Sequence, residues 1–198
     1  SFLELYSSDL QGKQLDIYSK EVEKFKGKIK LQIDNESLLL QLSNIVYPNE
    51  SDDVKDCYGE TGLMACFDRK DKQSSVEYSY KTEIRDKYGE FFKKELLSSF
   101  SSKIQTILEI IERSDGIVFI YTNWVKSGII PLVLALEQNG YLKSDGKKIL
   151  KTTSRIQPIS YEGKKISDYS DKKDFKQAKY MVITGSQENL THKLEEEL

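Results

Sequence analysis

The stretch GIVFIYTNWVKSGIIPLVLALEQNGY, residues 116–141, decides the fold that this sequence predicts. It opens with a run rich in β-branched and aromatic residues, residues 117–121, which is typical of a strand buried on both faces of a parallel sheet. The polar pair Thr122-Asn123 follows at once, and then a helical pattern that Gly140 closes. Strand, turn and helix make the first half of a βαβ unit, so we predict an α/β fold. Because ligands of such sheets bind at the carboxyl ends of the strands, the turn at Thr122-Asn123 is the first place to look for function.

Composition describes a chain able to bury a real core. Its 198 residues carry 30 Lys and Arg against 32 Asp and Glu, a formal net charge of −2. No apolar run reaches membrane-spanning length, so no membrane partner is expected. Cys57 and Cys66 match no zinc or redox spacing. Charge is uneven: residues 143–176 hold ten Lys and Arg against five Asp and Glu. That segment is either a solvated loop or an edge that contacts phosphates.

Helical periodicity dominates the first half of the chain. One helix is predicted with its apolar residues on the core side, and a second near 36–47, which Pro48 stops. The polar segment 68–87 is interpreted as a linker or an exposed excursion. Ser101-Ser102 can cap a third, clearly amphipathic helix. The apolar stripe of the first helix is Leu15, Tyr18, Val22 and Phe25, and that of the third is Ile104, Ile107, Leu108 and Ile111.

Beyond residue 116 the pattern alternates between strands and helices. Asn123 is predicted to cap a first helical turn, and Pro131 to start a straighter helix. Residues 142–175 form a long polar insertion with a small hairpin-like excursion. A second short strand, residues 179–184, ends in the polar turn Gly185-Ser186. Asn189 then caps a final helix that is still running at residue 198, which suggests a fragment.

No self-sufficient active site emerges from the motifs. His192 is interpreted as a surface residue. The segment from Gly140 to Lys148 has one residue too many between its glycines for a phosphate loop, and a lysine where magnesium needs a hydroxyl. Two strand-to-helix turns remain, Thr122-Asn123 and Gly185-Ser186. Their hydroxyls, amide and backbone N–H groups suit phosphate contact, but ordinary helix caps look the same.

Several motifs in order resemble superfamily 2 helicases of large cytoplasmic DNA viruses, among them relatives of the poxvirus early transcription factor small subunit and of mimivirus and asfarvirus helicases. The run IVFIYTNWVKSG with LALEQNGY is similar to motif IV and its helix. Upstream, LQGKQLDIY, LSNIVYP and YGETG look like the segment between the two motor lobes. Downstream, residues 180–186 resemble the next strand and its turn.

This resemblance implies a fold, a function and partners. Residues 1–100 would be a mostly helical inter-lobe region, and residues 101–198 an incomplete second RecA-like lobe with the insertion at about 142–175. The parent would be an ATP- and Mg²⁺-dependent helicase or translocase of the host cytoplasm or the virion. This chain lacks the first lobe's motifs, so no cofactor and no ATPase activity are expected of it alone.

By the same resemblance, Thr122, Asn123, Gly185 and Ser186, and more weakly Lys126, would touch a DNA or RNA backbone. The first RecA-like lobe of the parent would be a further partner. A different class of function is left open: an interaction module that docks onto viral transcription machinery without contacting nucleic acid.

Overall fold

The computed structural model describes residues 4–26, 33–51, 53–72 and 75–183, which fold as helices around a small mixed sheet. The seven α-helices there are α1 Gly12–Glu23, α2 Ile33–Asn44, α3 Gly59–Cys66, α4 Thr82–Tyr88, α5 Lys94–Leu97, α6 Ser102–Arg113 and α7 Ile130–Gln138. The strands are β1 Phe67–Lys72, β2 Ser75–Tyr80, β3 Leu142–Lys143, β4 Leu150–Lys151 and β5 Lys179–Tyr180. A π-helical turn, Val125–Ile129, precedes α7, and short 3₁₀ turns lie at Val54–Cys57, Ile166–Asp168 and Lys172–Asp174.

The sheet architecture combines both strand orientations. β1 and β2 form an antiparallel hairpin, and β4 adds to β2 in parallel, with Tyr78 opposite Leu150. β3 and β5 make a separate parallel pair. Helices with a mixed three-stranded sheet confirm the general α/β class.

The hairpin β1–β2 corrects one prediction. Residues 68–87 are not a linker, because β2 alternates inward and outward and buries Val76, Tyr78 and Tyr80. The ring of Phe67 packs on that of Tyr80 with centroids 4.6 Å apart. The charged residues of β1 obscured this period-two pattern, which is the signature of a half-buried strand.

Helices α6 and α7 confirm the predicted pattern. The Ser101 hydroxyl accepts the N–H of Ile104 at 3.0 Å and caps α6, whose Ile104 and Leu108 are buried. All nine residues of α7 are buried, with a proline in its first turn. Gly140 follows its C-cap with φ +95°. A Cβ there would lie 2.3 Å from the carbonyl oxygen of Gln157, so the position requires glycine.

Helix α1 forms as predicted but turns another face inward. Gln14 and Glu21 are buried, whereas Leu15 and Val22 are exposed, so the prediction that these two face the core is wrong. The Gln14 amide donates to the Leu42 carbonyl at 2.9 Å and accepts the Ser102 N–H at 3.0 Å. These two buried hydrogen bonds connect α1 to α2 and to the start of α6, and they fix the orientation of α1.

The apolar run, residues 117–121, also departs from its prediction. It forms no strand and pairs with none in the described ranges, and it lies open to solvent instead of being buried on both faces. Ile117, Phe119 and Tyr121 are 85%, 88% and 88% exposed. A strand of this composition is buried only when neighbouring strands and helices cover it, and none in the described part does so.

In the insertion Ile159 is bridged to Lys165 in a short hairpin, whereas residues 150–151 pair with β2, so the predicted hairpin-like excursion is seen only in part. The main core draws on residues from both sides of position 100, including Phe91, Leu108 and Leu134. The proposed division at residue 100 stays a prediction. The second predicted strand is seen only in part, as the two residues of β5, since residues 181–183 form no strand. The final helix and His192 lie outside the described residues.

Candidate nucleic-acid interface

The candidate site begins where the apolar run ends. Thr122 is half-buried and Asn123 is exposed. The Thr122 hydroxyl accepts the N–H of Trp124 at 3.3 Å, which closes a tight polar turn. A Cβ at Gly128 would lie 2.5 Å from this hydroxyl oxygen, so the missing side chain of Gly128 is what lets the turn fold back onto the helix.

Asn123 does not cap a helix, contrary to its prediction. The π-helical turn has Trp124 as its N-cap residue and no side-chain cap. Instead the Asn123 Oδ1 accepts the hydroxyl of Tyr121 at 2.5 Å on the surface. Its amide Nδ2 donates to no atom in the described ranges, which leaves an exposed hydrogen-bond donor at the turn.

Three contacts from α2, α3 and their neighbours hold the π-helical turn. The Ser127 hydroxyl accepts the N–H of Gly59 at 2.9 Å and donates to Gln41 Oε1 at 3.0 Å. The Tyr47 hydroxyl donates to the Lys126 carbonyl at 2.6 Å. Burial raises the pKa of Tyr47, so this hydroxyl keeps its proton and remains a donor. The turn is therefore presented on a fixed support, and π-helical turns are frequent at functional sites.

Lys126 is placed less favourably for a ligand. Its Nζ lies 3.4 Å from Glu60 Oε1, and its side chain is largely covered. The positive charge is therefore partly compensated within the protein. A phosphate at Lys126 would have to compete with Glu60.

The structure brings together three of the five predicted site residues, Thr122, Asn123 and Lys126, within one turn. Gly185 and Ser186 lie outside the described residues, so their expected place at the same edge stays a prediction. Sequence reasoning missed the anchors Gln41, Tyr47 and Ser127. A serine next to Gly128, in an otherwise apolar helical pattern, was the available signal for one of them.

Comparisons with known proteins add no assignment, since no protein-family model, curated protein or solved structure matches the chain. In the described ranges, no helix is long and apolar enough to span a bilayer. The same residues contain no cluster of three or more His, Cys, Asp or Glu side chains able to hold a metal ion.

Proposed function

We propose that this chain forms part of the second RecA-like lobe of a viral superfamily 2 helicase or translocase. In this proposal the turn at residues 122–126 contacts the sugar-phosphate backbone of DNA or RNA. ATP and Mg²⁺ would be bound by the parent protein together with its first lobe. This chain supplies no phosphate loop of its own.

The observation that carries the proposal is the apolar run leading directly into an anchored polar turn. The run is apolar at every position and leads through Thr122 and Asn123 into the π-helical turn and α7. In this proposal the run, which is exposed in the described structure, is covered by other strands of the lobe, so that the turn lies at a strand end of the sheet. Backbone N–H groups, a hydroxyl and an amide at such a place suit an anionic ligand. In this proposal these groups contact phosphates and not base edges, so binding is expected to be independent of sequence.

The second candidate function, a docking module for transcription machinery, has one observation in its favour. Ile117, Phe119 and Tyr121 together form an exposed apolar strip with unpaired backbone groups in the described structure. Such strips mark contact sites for other proteins or for other parts of a larger sheet. Nucleic-acid contact remains our first choice because the polar turn is held so firmly beside the strip.

The test adds one negative charge at the turn without changing its shape. Asn123→Asp keeps an acceptor for the Tyr121 hydroxyl but places a carboxylate where a phosphate should lie. We expect oligonucleotide affinity at low salt to fall about tenfold, which corresponds to about 1.4 kcal/mol. Fluorescence anisotropy with labelled oligonucleotides of unrelated sequence measures it, at low and at physiological salt.

The matched control is Gln11→Glu, which adds the same charge at an exposed position ahead of α1. It should leave the affinity within about twofold of the unaltered chain, because the site lies elsewhere and salt screens distant charges. Equal affinities for Asn123→Asp and the unaltered chain would show that the turn does not contact nucleic acid.

A further inference from the structure

The hydroxyl of Tyr78, on β2, is a buried polar group without a partner in the fold. The side chain is 0% exposed, and within the described ranges its hydroxyl forms no hydrogen bond. Folded proteins pair nearly all of their buried polar atoms, because an unpaired one costs stability. An orphaned hydroxyl of this kind is therefore a candidate donor to a bound ligand.

A largely covered cation lies beside Tyr78. Arg69 is directly opposite Tyr78 in the register of β1 and β2. It is on the same face of β1 as the buried Phe67, because side chains alternate along a strand. Its guanidinium lies 2.8 Å from Asp71 Oδ1, and the two side chains are 20% and 71% exposed. The cation is thus turned inward, whereas its carboxylate partner lies towards the solvent.

A second covered cation approaches from the turn at residues 122–126. Lys126 Nζ lies 3.4 Å from Glu60 Oε1, and these side chains are 16% and 62% exposed. The Tyr47 hydroxyl, which donates to the Lys126 carbonyl at 2.6 Å, connects this pair with Tyr78. Burial raises the pKa of Tyr47, and the neighbouring Cys66 and Tyr78 raise it further. The two tyrosine hydroxyls therefore lie near each other, since Coulomb interactions weaken with distance.

Electrostatic interactions connect both ion pairs to the Tyr78 hydroxyl. Burial raises the pKa of Tyr78 to about 12, although the positive charge of Arg69 lowers it. The negative charges of Asp71 and Glu60 raise the same pKa, so these charged groups also lie near the hydroxyl. A tyrosine with this pKa keeps its proton at neutral pH and is able to donate a hydrogen bond.

The two carboxylates are replaceable partners of these cations. Ion pairs with an exposed member contribute little, and Glu60 and Asp71 can turn into water without becoming buried and unpaired. A phosphate group offers oxygens that accept from a guanidinium, an ammonium and a hydroxyl at once. The covering of Arg69 and Lys126 strengthens their attraction for such an anion, because less water screens it.

We propose that Arg69, Lys126 and the Tyr78 hydroxyl form a binding site for one phosphate group. Glu60 and Asp71 occupy the two cations until the phosphate displaces them. This site rests on the proposed function for the source of its ligand, because the phosphate is that of a DNA or RNA backbone at the turn. The binding chemistry belongs to residues of β1 and β2, which lie outside the turn.

Fluorescence anisotropy with a labelled single strand tests the site on the whole chain at low salt. Glu60→Gln with Asp71→Asn should raise the affinity about threefold, because two competing carboxylates are removed. Tyr78→Phe should lower the affinity about tenfold, since a hydrogen bond to a charged group is lost. Arg69→Gln should reduce the slope of log affinity against log salt by about 0.7, from one phosphate contact.

Two controls separate binding from charge and from folding. Glu83→Gln with Glu95→Gln removes two exposed carboxylates elsewhere and should change the affinity by less than about twofold. Urea unfolding of the free chain should show no loss of stability in Tyr78→Phe, because its hydroxyl has no partner to lose. Tyr180→Phe, whose hydroxyl donates to Glu137 at 2.6 Å, should be less stable.

Phosphorus NMR of inorganic phosphate examines the same site without nucleic acid. The resonance should broaden with the unaltered chain and less with Arg69→Gln. Such broadening without oligonucleotide binding supports the site while contradicting the proposed function. Oligonucleotide binding that Asn123→Asp weakens, but Tyr78→Phe and Glu60→Gln with Asp71→Asn leave unchanged, overturns the site and leaves the proposed function standing. A loss of stability in free Tyr78→Phe also overturns it.

Discussion

Replacing Glu90 by glutamine is expected to destabilise the protein in a way that depends on pH. Glu90 is buried and holds the insertion to the helical part of the chain. Its Oε1 accepts the N–H of Thr153 at 3.0 Å and that of Ser154 at 3.3 Å. Its Oε2 accepts the Ser154 hydroxyl and the Gln138 amide, and lies 3.1 Å from Lys93 Nζ.

The pKa of Glu90 provides the magnitude. Burial alone raises it, but the Ser154 hydroxyl, Lys93 and the backbone N–H groups of Thr153 and Ser154 together outweigh burial and lower the pKa from 4.5 to about 2. At about 1.4 kcal/mol per pKa unit, the ionised form contributes about 3 kcal/mol to the free energy of unfolding. Because the folded pKa is depressed, this contribution is fully present above about pH 5 and is lost as the pH falls towards 2.

Urea unfolding, followed by far-UV circular dichroism and by the fluorescence of Trp124, measures the effect. Near pH 7 Glu90→Gln should be less stable than the unaltered chain by up to about 3 kcal/mol, and the gap should shrink steadily towards pH 3. Glu95→Gln on α5 is the control, since Glu95 is exposed, and it should change little at any pH. A gap that stays constant from pH 7 to pH 3 would refute the reasoning.

Two further predictions use paired variants and the same unfolding measurement. Gly140→Ala should lose more than about 3 kcal/mol, because the new Cβ would meet the Gln157 carbonyl at a positive φ. Gly146→Ala, also at positive φ but in open space, should lose only about 1 kcal/mol, and equal losses would contradict the steric argument. Phe119→Ser should change the unfolding free energy by less than about 0.5 kcal/mol, since the ring is exposed. Leu134→Ala should lose about 2–5 kcal/mol from the core, and a comparable loss at Phe119 would show that the apolar run is covered in solution.

The candidate site was predictable only in outline. Thr122 and Asn123 could be identified as candidates because they form a polar pair directly after an apolar run, and local composition marks strand ends and helix starts. Their partners were not predictable in this way. Ser127 meets Gln41 and Gly59 across 86 and 68 positions of sequence, and no local pattern specifies such pairs.

The sequence by itself determined the elements whose signals are local. The amphipathic period and Ser101 define α6, and Pro131 with Gly140 bound the helix that becomes α7. Tertiary structure alone decided which surfaces are covered. The buried hydrogen bonds of Gln14 orient α1 so that Leu15 faces outward, whereas the apolar period of α1 predicts that Leu15 faces the core. The apolar run at residues 117–121 has the composition of a buried strand, yet it is exposed, because burial depends on neighbours that a strand's own residues cannot supply.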